Sequence, residues 1–133
     1  MNTGGRINNF GIGADIESIK RFTVPECVQN SVFLNKIFTQ DEQEYCFSKR
    51  TAAPHLAARY AGKEAVVKGL ASIGRPNIGY SDIEIINDKN GVPEVNIGKA
   101  GFHDLQVKLS LSHCGDKAIA FAIVVETKEH DED

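Results

Sequence analysis

The sequence predicts an α+β fold, with an antiparallel sheet packed against one long central helix. Three observations lead there. Residues 54–70 are rich in Ala and Leu, with Pro54 suited to a first helical turn and Gly69 offering an exit near the end. Residues 82–87 and 92–97 flank Asp88-Lys89-Asn90-Gly91, a tight-turn signature that marks a hairpin. Val107, Leu109 and Leu111 alternate with Lys108, Ser110 and Ser112, and after a turn at 113–116 residues 118–125 read as a strand apolar on both faces.

At 133 residues the chain has the size of one domain, and its 41% hydrophobic and 25% charged residues are those of an ordinary globular protein. The net charge is only −3, and the last eight residues, five acids against Lys128, contribute −4 of it, so the body stands near +1 and carries no nucleic-acid footprint. No apolar run approaches membrane-spanning length and the start is polar and Gly-rich, which predicts a cytoplasmic protein without membrane contact. Cys27, Cys46 and Cys114 are odd in number and have no paired spacing, so they read as reduced packing residues rather than a disulfide framework or zinc site.

In chain order, residues 1–9 read as a flexible leader, 10–126 as the folded domain and 127–133 as a disordered acidic tail. Phe10-Gly11-Ile12-Gly13-Ala14-Asp15-Ile16-Glu17 is a strand. It is not a dinucleotide fingerprint, because Ile16 stands where the third glycine would fall and no long βαβ unit follows. Gly11 and Gly13 instead suggest close approach of another backbone or a ligand. Asp15 and Glu17 share a strand face, either turned to water or available to a cation. Residues 19–30 predict a short helix interrupted by Pro25, and Thr39-Gln40-Asp41-Glu42 is a capping box that opens a helix through Tyr45, Cys46 and Phe47. Residues 71–79 are loop.

On the central helix Glu64 has Tyr60, Ala61 and Val67 as its neighbours three and four positions away, so its carboxylate projects from a mostly apolar side. Glu64 and Lys68 have the order of an exposed ion pair worth about 0.3–0.5 kcal/mol. The apolar neighbours favour a different use, because a carboxylate there is costly to ionise without a cation beside it. Glu64 is therefore a candidate metal ligand and Lys68, one turn on, a candidate phosphate contact.

Three clusters now stand in order: Gly11-Ile12-Gly13-Ala14-Asp15-Ile16, the run Arg59-Tyr60-Ala61-Gly62-Lys63-Glu64-Ala65-Val66-Val67-Lys68, and Ser110-Leu111-Ser112-His113 followed by Ala118. Together they resemble the 4′-phosphopantetheinyl transferases, specifically the short holo-acyl-carrier-protein synthase type. Phe38-Thr39-Gln40-Asp41-Glu42, Asp82-Ile83-Glu84-Ile85 and Asn90-Gly91-Val92-Pro93 agree, so the resemblance covers nearly the whole chain from Gly11 to Val125.

The resemblance implies a single-lobed transferase fold and transfer of the phosphopantetheine arm of coenzyme A onto a carrier-protein serine, with release of adenosine 3′,5′-bisphosphate. It implies Mg2+ held by Asp15 and Glu64, an incomplete hard-oxygen cage of the kind that ion accepts. Glu17 is a candidate third ligand, since the longer two-lobed relatives use an Asp-x-Glu pair. Lys68 would reach the phosphates, and the serine proton would go to Glu64 or to a metal-bound water. Ser110, Ser112 and His113 are expected near the coenzyme A nucleotide, with Arg59 and Lys63 around it. Lys20 and Arg21 match the family's docking position for the acyl carrier protein. The segment 22–35 departs from the pattern, carrying Glu26 and no Lys or Arg where short members often carry several. A homotrimer with sites between subunits is also implied, because a single lobe must borrow its second half. Two other functions suit the same residues: a coenzyme A or nucleotide-binding module, and a magnesium-dependent phosphodiesterase.

Overall fold

The computed structural model describes residues 5–129. In chain order they form β1 (Gly5–Ser18), a 3₁₀ turn (Ile19–Phe22), α1 (Val32–Ile37), α2 (Gln40–Phe47), α3 (Ala52–Ser72), a second 3₁₀ turn (Tyr80–Asp82), β2 (Ile83–Asn87), β3 (Pro93–Ile97), β4 (Leu105–Cys114) and β5 (Lys117–Glu129). β1, β5 and β4 make a three-stranded antiparallel sheet with β5 in the middle, and β2 pairs with β3 as a separate hairpin. The α+β class is as expected.

The hairpin turn follows its sequence signature. Asp88 Oδ1 accepts from the backbone N–H groups of Asn90 and Val92, and Gly91 takes a φ of 82°. The capping box is also present: the Thr39 hydroxyl accepts from Glu42 N, and Glu42 accepts from Thr39 N.

Several boundaries differ from expectation, and the turn expected at 113–116 is only Gly115 and Asp116, because His113 and Cys114 pair with β5. The sequence predicts a leader over 1–9, but β1 begins at Gly5, with Gly5 opposite Glu129 and Phe10 opposite Val125. A partner strand of 13 residues supplies the pairing that the polar run Arg6–Asn9 does not signal by itself. For the same reason residues 127–129 of the expected acidic tail belong to β5; 1–4 and 130–133 lie outside the described residues. The helix expected over 19–30 is only the first 3₁₀ turn, and α1 starts later, where the Ser31 hydroxyl accepts from Leu34 N. α3 begins at Ala52, placing Pro54 third rather than first, and runs past Gly69 to Ser72.

Gly69 stays helical because its missing side chain makes room for the sheet. A Cβ there would lie 2.8 Å from Val124 Cγ2, and a Cβ on Gly13 would run into the carbonyl oxygen of Ala65. The inner sheet face is made of Gly11 and Gly13 in β1 and of Ala118, Ala120, Ala122 and Val124 in β5, all buried. Its small side chains let α3 lie close on the strands. Around this joint two apolar clusters form the core, one centred on Phe22, Leu34, Phe38, Leu56 and Tyr60, the other on Val66, Leu70, Ile83, Ile85 and Val124. The opposite sheet face is large and open. Phe10, Ile12 and Ile16 of β1 and Ile119, Phe121 and Ile123 of β5 are all exposed. A strand apolar on both faces is thus covered by this chain on one face only.

Candidate active site

Strand alternation turns Asp15 and Glu17 to the same side as Gly13, towards α3. Lys68 reaches across from α3 and donates to Ala14 O at 3.0 Å and to Asp15 Oδ1 at 3.2 Å. Ala14, Asp15, Ile16, Lys68 and Ile119 line a cavity of about 280 Å³ that opens on the apolar sheet face. Asp15 Oδ2 is buried and has no hydrogen-bond partner. Burial and the neighbouring Asp15 together push the Glu17 carboxyl up to about 7.

Glu17 also accepts from Arg21 Nη1 at 2.8 Å, and the Arg21 guanidinium carbon sits 4.9 Å from the centre of the Tyr60 ring. The Tyr60 hydroxyl in turn donates to Glu64 Oε2 at 2.8 Å, as does the Tyr80 hydroxyl. The expected ligands are therefore connected: Asp15 abuts Glu17, and Glu17 is joined to Glu64 through Arg21 and Tyr60. Among the described residues no three His, Cys, Asp or Glu side chains converge as a ready cage. The exposed pair of Glu64 with Lys68 does not form; each side chain has a different partner.

The second group of expected residues divides. Arg59 is buried, its Nε donating to Ile85 O at 3.2 Å and its Nη2 to Asn87 Oδ1 at 3.3 Å, with the guanidinium carbon 4.1 Å over the Tyr45 ring. Arg59, Ser112 and His113 line a cavity of about 170 Å³ together with Tyr45, His55 and Asn87. Ser110 points out from β4 opposite Phe121 and does not line it. Burial, then the cations Arg59 and Lys49, hold the His55 ring below its ordinary pKa. A pocket edged by the Arg59 guanidinium and by the Tyr45, His55 and His113 rings suits an anion carrying a flat ring.

Tyr45, His55 and Asn87 were missed in the sequence, because they come from three separate elements with no shared spacing. Their only signal was chemical type, a His in the first turns of an Ala-rich helix.

Lys63 must be moved away from the nucleotide. It is fully buried, 2.8 Å from Glu42 Oε1 in an ion pair, and its remaining donors go to Tyr80 O at 2.8 Å and to Ile83 O. Glu42 also accepts from Thr39 N and from Ile85 N at 2.6 Å, so the pair is satisfied on both sides. Burial alone would push the Lys63 pKa down, and Glu42 opposes it. Removing one partner of such a pair costs roughly 3–5 kcal/mol. Lys20, next to Arg21 in the 3₁₀ turn, is exposed.

The family model of the 4′-phosphopantetheinyl transferase superfamily matches residues 11–123. The holo-[acyl-carrier-protein] synthase of Protochlamydia amoebophila is 42% identical over 117 residues, covering 86% of this chain and 96% of that protein. The enzyme of that name from Chlamydia muridarum is 41% identical over 121 residues, covering 89% and 96%. Among solved structures, the acyl carrier protein synthase of Mycobacterium tuberculosis has a TM-score of 0.68 at 36% identity, covering 87% of this chain and 96% of that one. The holo-(acyl-carrier-protein) synthase of Bacillus anthracis, in complex with CoA (3′,5′-ADP), has a TM-score of 0.68 at 26% identity, with coverage of 87% and 96%. With its glycine-lined strand, its Glu64–Lys68 helix and these matches over most of its length, the chain belongs to the 4′-phosphopantetheinyl transferase superfamily and, within it, to the short holo-[acyl-carrier-protein] synthase type.

Proposed function

We propose that this chain, acting with Mg2+ in the cytoplasm, transfers the phosphopantetheine group of coenzyme A to a serine of an acyl carrier protein and releases adenosine 3′,5′-bisphosphate. The observation that carries the metal requirement is Asp15 Oδ2, a buried carboxylate oxygen without a donor, beside a second carboxyl. Such an atom fits a hard cation, and magnesium characteristically takes one or two carboxylates with substrate phosphates completing its shell. Asp15 and Glu64 would hold it, with Glu17 as a third ligand. When bound, the ion offsets negative charge gathering on the pyrophosphate.

In the transfer the serine Oγ forms a bond to the phosphorus that carries the pantetheine arm. The bridging P–O bond breaks, and its electron pair leaves with the bisphosphate. Lys68, whose side chain is half exposed and, among the described residues, is held by Asp15 and the Ala14 carbonyl, can swing to the phosphates and neutralise that leaving group. Glu64 has Oε2 occupied by two tyrosine hydroxyls, so Oε1 remains for ligation or for the serine proton. The pocket of Tyr45, His55, Arg59, Ser112 and His113 takes the nucleotide end of coenzyme A, with Ser110 outside it.

The carrier docks at Lys20 and Arg21. Beyond them Val28, Val32 and Phe33 are exposed and no cation intervenes before Lys36, so the docking face is more apolar than basic and suits a recognition helix of the same character. Because the cavity at Asp15 opens on the uncovered apolar face of β1 and β5, we assign that face to neighbouring copies in a homotrimer, with the site completed between subunits.

The test is to incubate the protein with coenzyme A, Mg2+ and several carrier proteins and to weigh the carriers. A phosphopantetheine mass increment that disappears with chelator supports the reading. Cleavage of coenzyme A without the increment would favour a phosphodiesterase, and neither event would favour a binding module.

A further inference from the structure

Adjacent residues of α3 grip Tyr80 at its two ends. The Lys63 ammonium holds its backbone carbonyl at 2.8 Å, and the Glu64 carboxylate accepts from its hydroxyl at 2.8 Å. Lys63 is itself immobilised, since its three donors are all used, on Glu42, Tyr80 O and Ile83 O, in a fully buried setting. Tyr80 therefore enters the site from the end of the loop 73–79 with its backbone fixed to the core. Tyr60, one helical turn before Glu64, supplies a second hydroxyl to the same oxygen, its ring 5.5 Å from that of Tyr80. Both donors fall on Oε2 and, among the described residues, no hydrogen bond engages Oε1. A half-buried carboxylate free to rotate would present either oxygen. This one is held with a single oxygen outward.

We infer that Tyr80 is a positioning residue for Glu64: with Tyr60 it pins Oε2 and so fixes which carboxylate oxygen faces the reaction, while the buried Lys63–Glu42 pair serves as its anchor. The inference rests on the assignment of Glu64 as a metal ligand. It gives Lys63 a part in the site at one remove, through Tyr80, where direct contact with the nucleotide is ruled out by burial. A hydrogen-bond partner that orients a ligating side chain contributes about 10–100-fold in metal affinity.

The experiment compares Tyr80→Phe and Glu64→Gln with the unsubstituted protein. Mn2+ is titrated as the probe, with and without coenzyme A, and free Mn2+ is read by electron paramagnetic resonance. Transfer is measured against metal and carrier concentration in parallel. Tyr80→Phe removes one oxygen atom and leaves the Lys63 contact to the backbone, so the fold is retained. The expected result is Mn2+ binding weakened about 10-fold, half-maximal transfer displaced to correspondingly higher metal, and an unchanged KM for the carrier. Glu64→Gln is expected to weaken Mn2+ further. If Glu64→Gln weakens Mn2+ and Tyr80→Phe does not, the positioning role is wrong while the ligand assignment stands. If Glu64→Gln leaves Mn2+ binding intact, both are wrong.

Discussion

Replacing Asp15 by Asn should make the metal-free protein more stable while abolishing transfer. In the native chain Asp15 Oδ2 is buried without a donor and its side chain is only 13% exposed. Leaving a buried polar atom unsatisfied costs about 1–3 kcal/mol, and more when it is charged. Opposing this is the 3.2 Å pair with Lys68, whose side chain is 55% exposed, so solvent reduces it to about 0.2–1 kcal/mol. The substitution keeps the shape, removes the charge and ends the competition with Glu17. The balance favours the variant by about 1 kcal/mol, a rise of a few degrees in Tm for a chain of this size. Magnesium should reverse the order. At a hundred times its dissociation constant it stabilises the native protein by about 2.7 kcal/mol, and the variant by little. Thermal unfolding with and without Mg2+, alongside the transfer assay, reads both effects. A variant less stable by 1 kcal/mol in the absence of metal, or one that keeps near-native turnover, would refute the reasoning.

Three further outcomes follow from the packing. Gly13→Ala sets a methyl group against the Ala65 carbonyl, a backbone atom that cannot yield, and should cost about 3 kcal/mol or more in urea unfolding; a neutral result would mean that the strand and α3 are further apart than described. His55 is held below its ordinary pKa of 6.5, so the unfolded chain takes up a proton before the folded one does. Stability should fall as pH drops through and below 6.5, and His55→Gln should flatten that part of the profile. Phe121→Asp places a charge on the uncovered apolar face and should give a monomer without transfer activity; sedimentation showing an active monomer of either form would contradict the trimer.

Local signals were legible and distant ones were not. The hairpin, the capping box and the paired face of Asp15 and Glu17 each depend on residues within a few positions and lie where their spacing places them, while β4 follows its alternation but runs on through His113 and Cys114, which read as turn. The helix limits were less so, because Pro54 and Gly69 have local meanings that packing overrode: Gly69 serves contact with Val124, not termination. The strand start at Gly5 depends on β5, more than a hundred residues later. Lys63 shows the limit most clearly. The family resemblance set it near the nucleotide, yet what fixes it is Glu42, which the sequence displays only as a helix cap.

The glycines of β1 also settle a choice that hydrophobicity leaves open. Phe10, Ile12 and Ile16 on one side of the strand are more oily than Gly11 and Gly13 on the other, so burial of apolar area alone would turn the wrong side inward. A slip of one residue along β5 would do that and would carry Asp15 and Glu17 to the outer surface. There is no volume beneath α3 for Ile12, since even a methyl group on Gly13 meets the Ala65 carbonyl. A slip of one residue is thus opposed sterically, and the register that buries the glycines is the same one that turns Asp15 and Glu17 towards the helix.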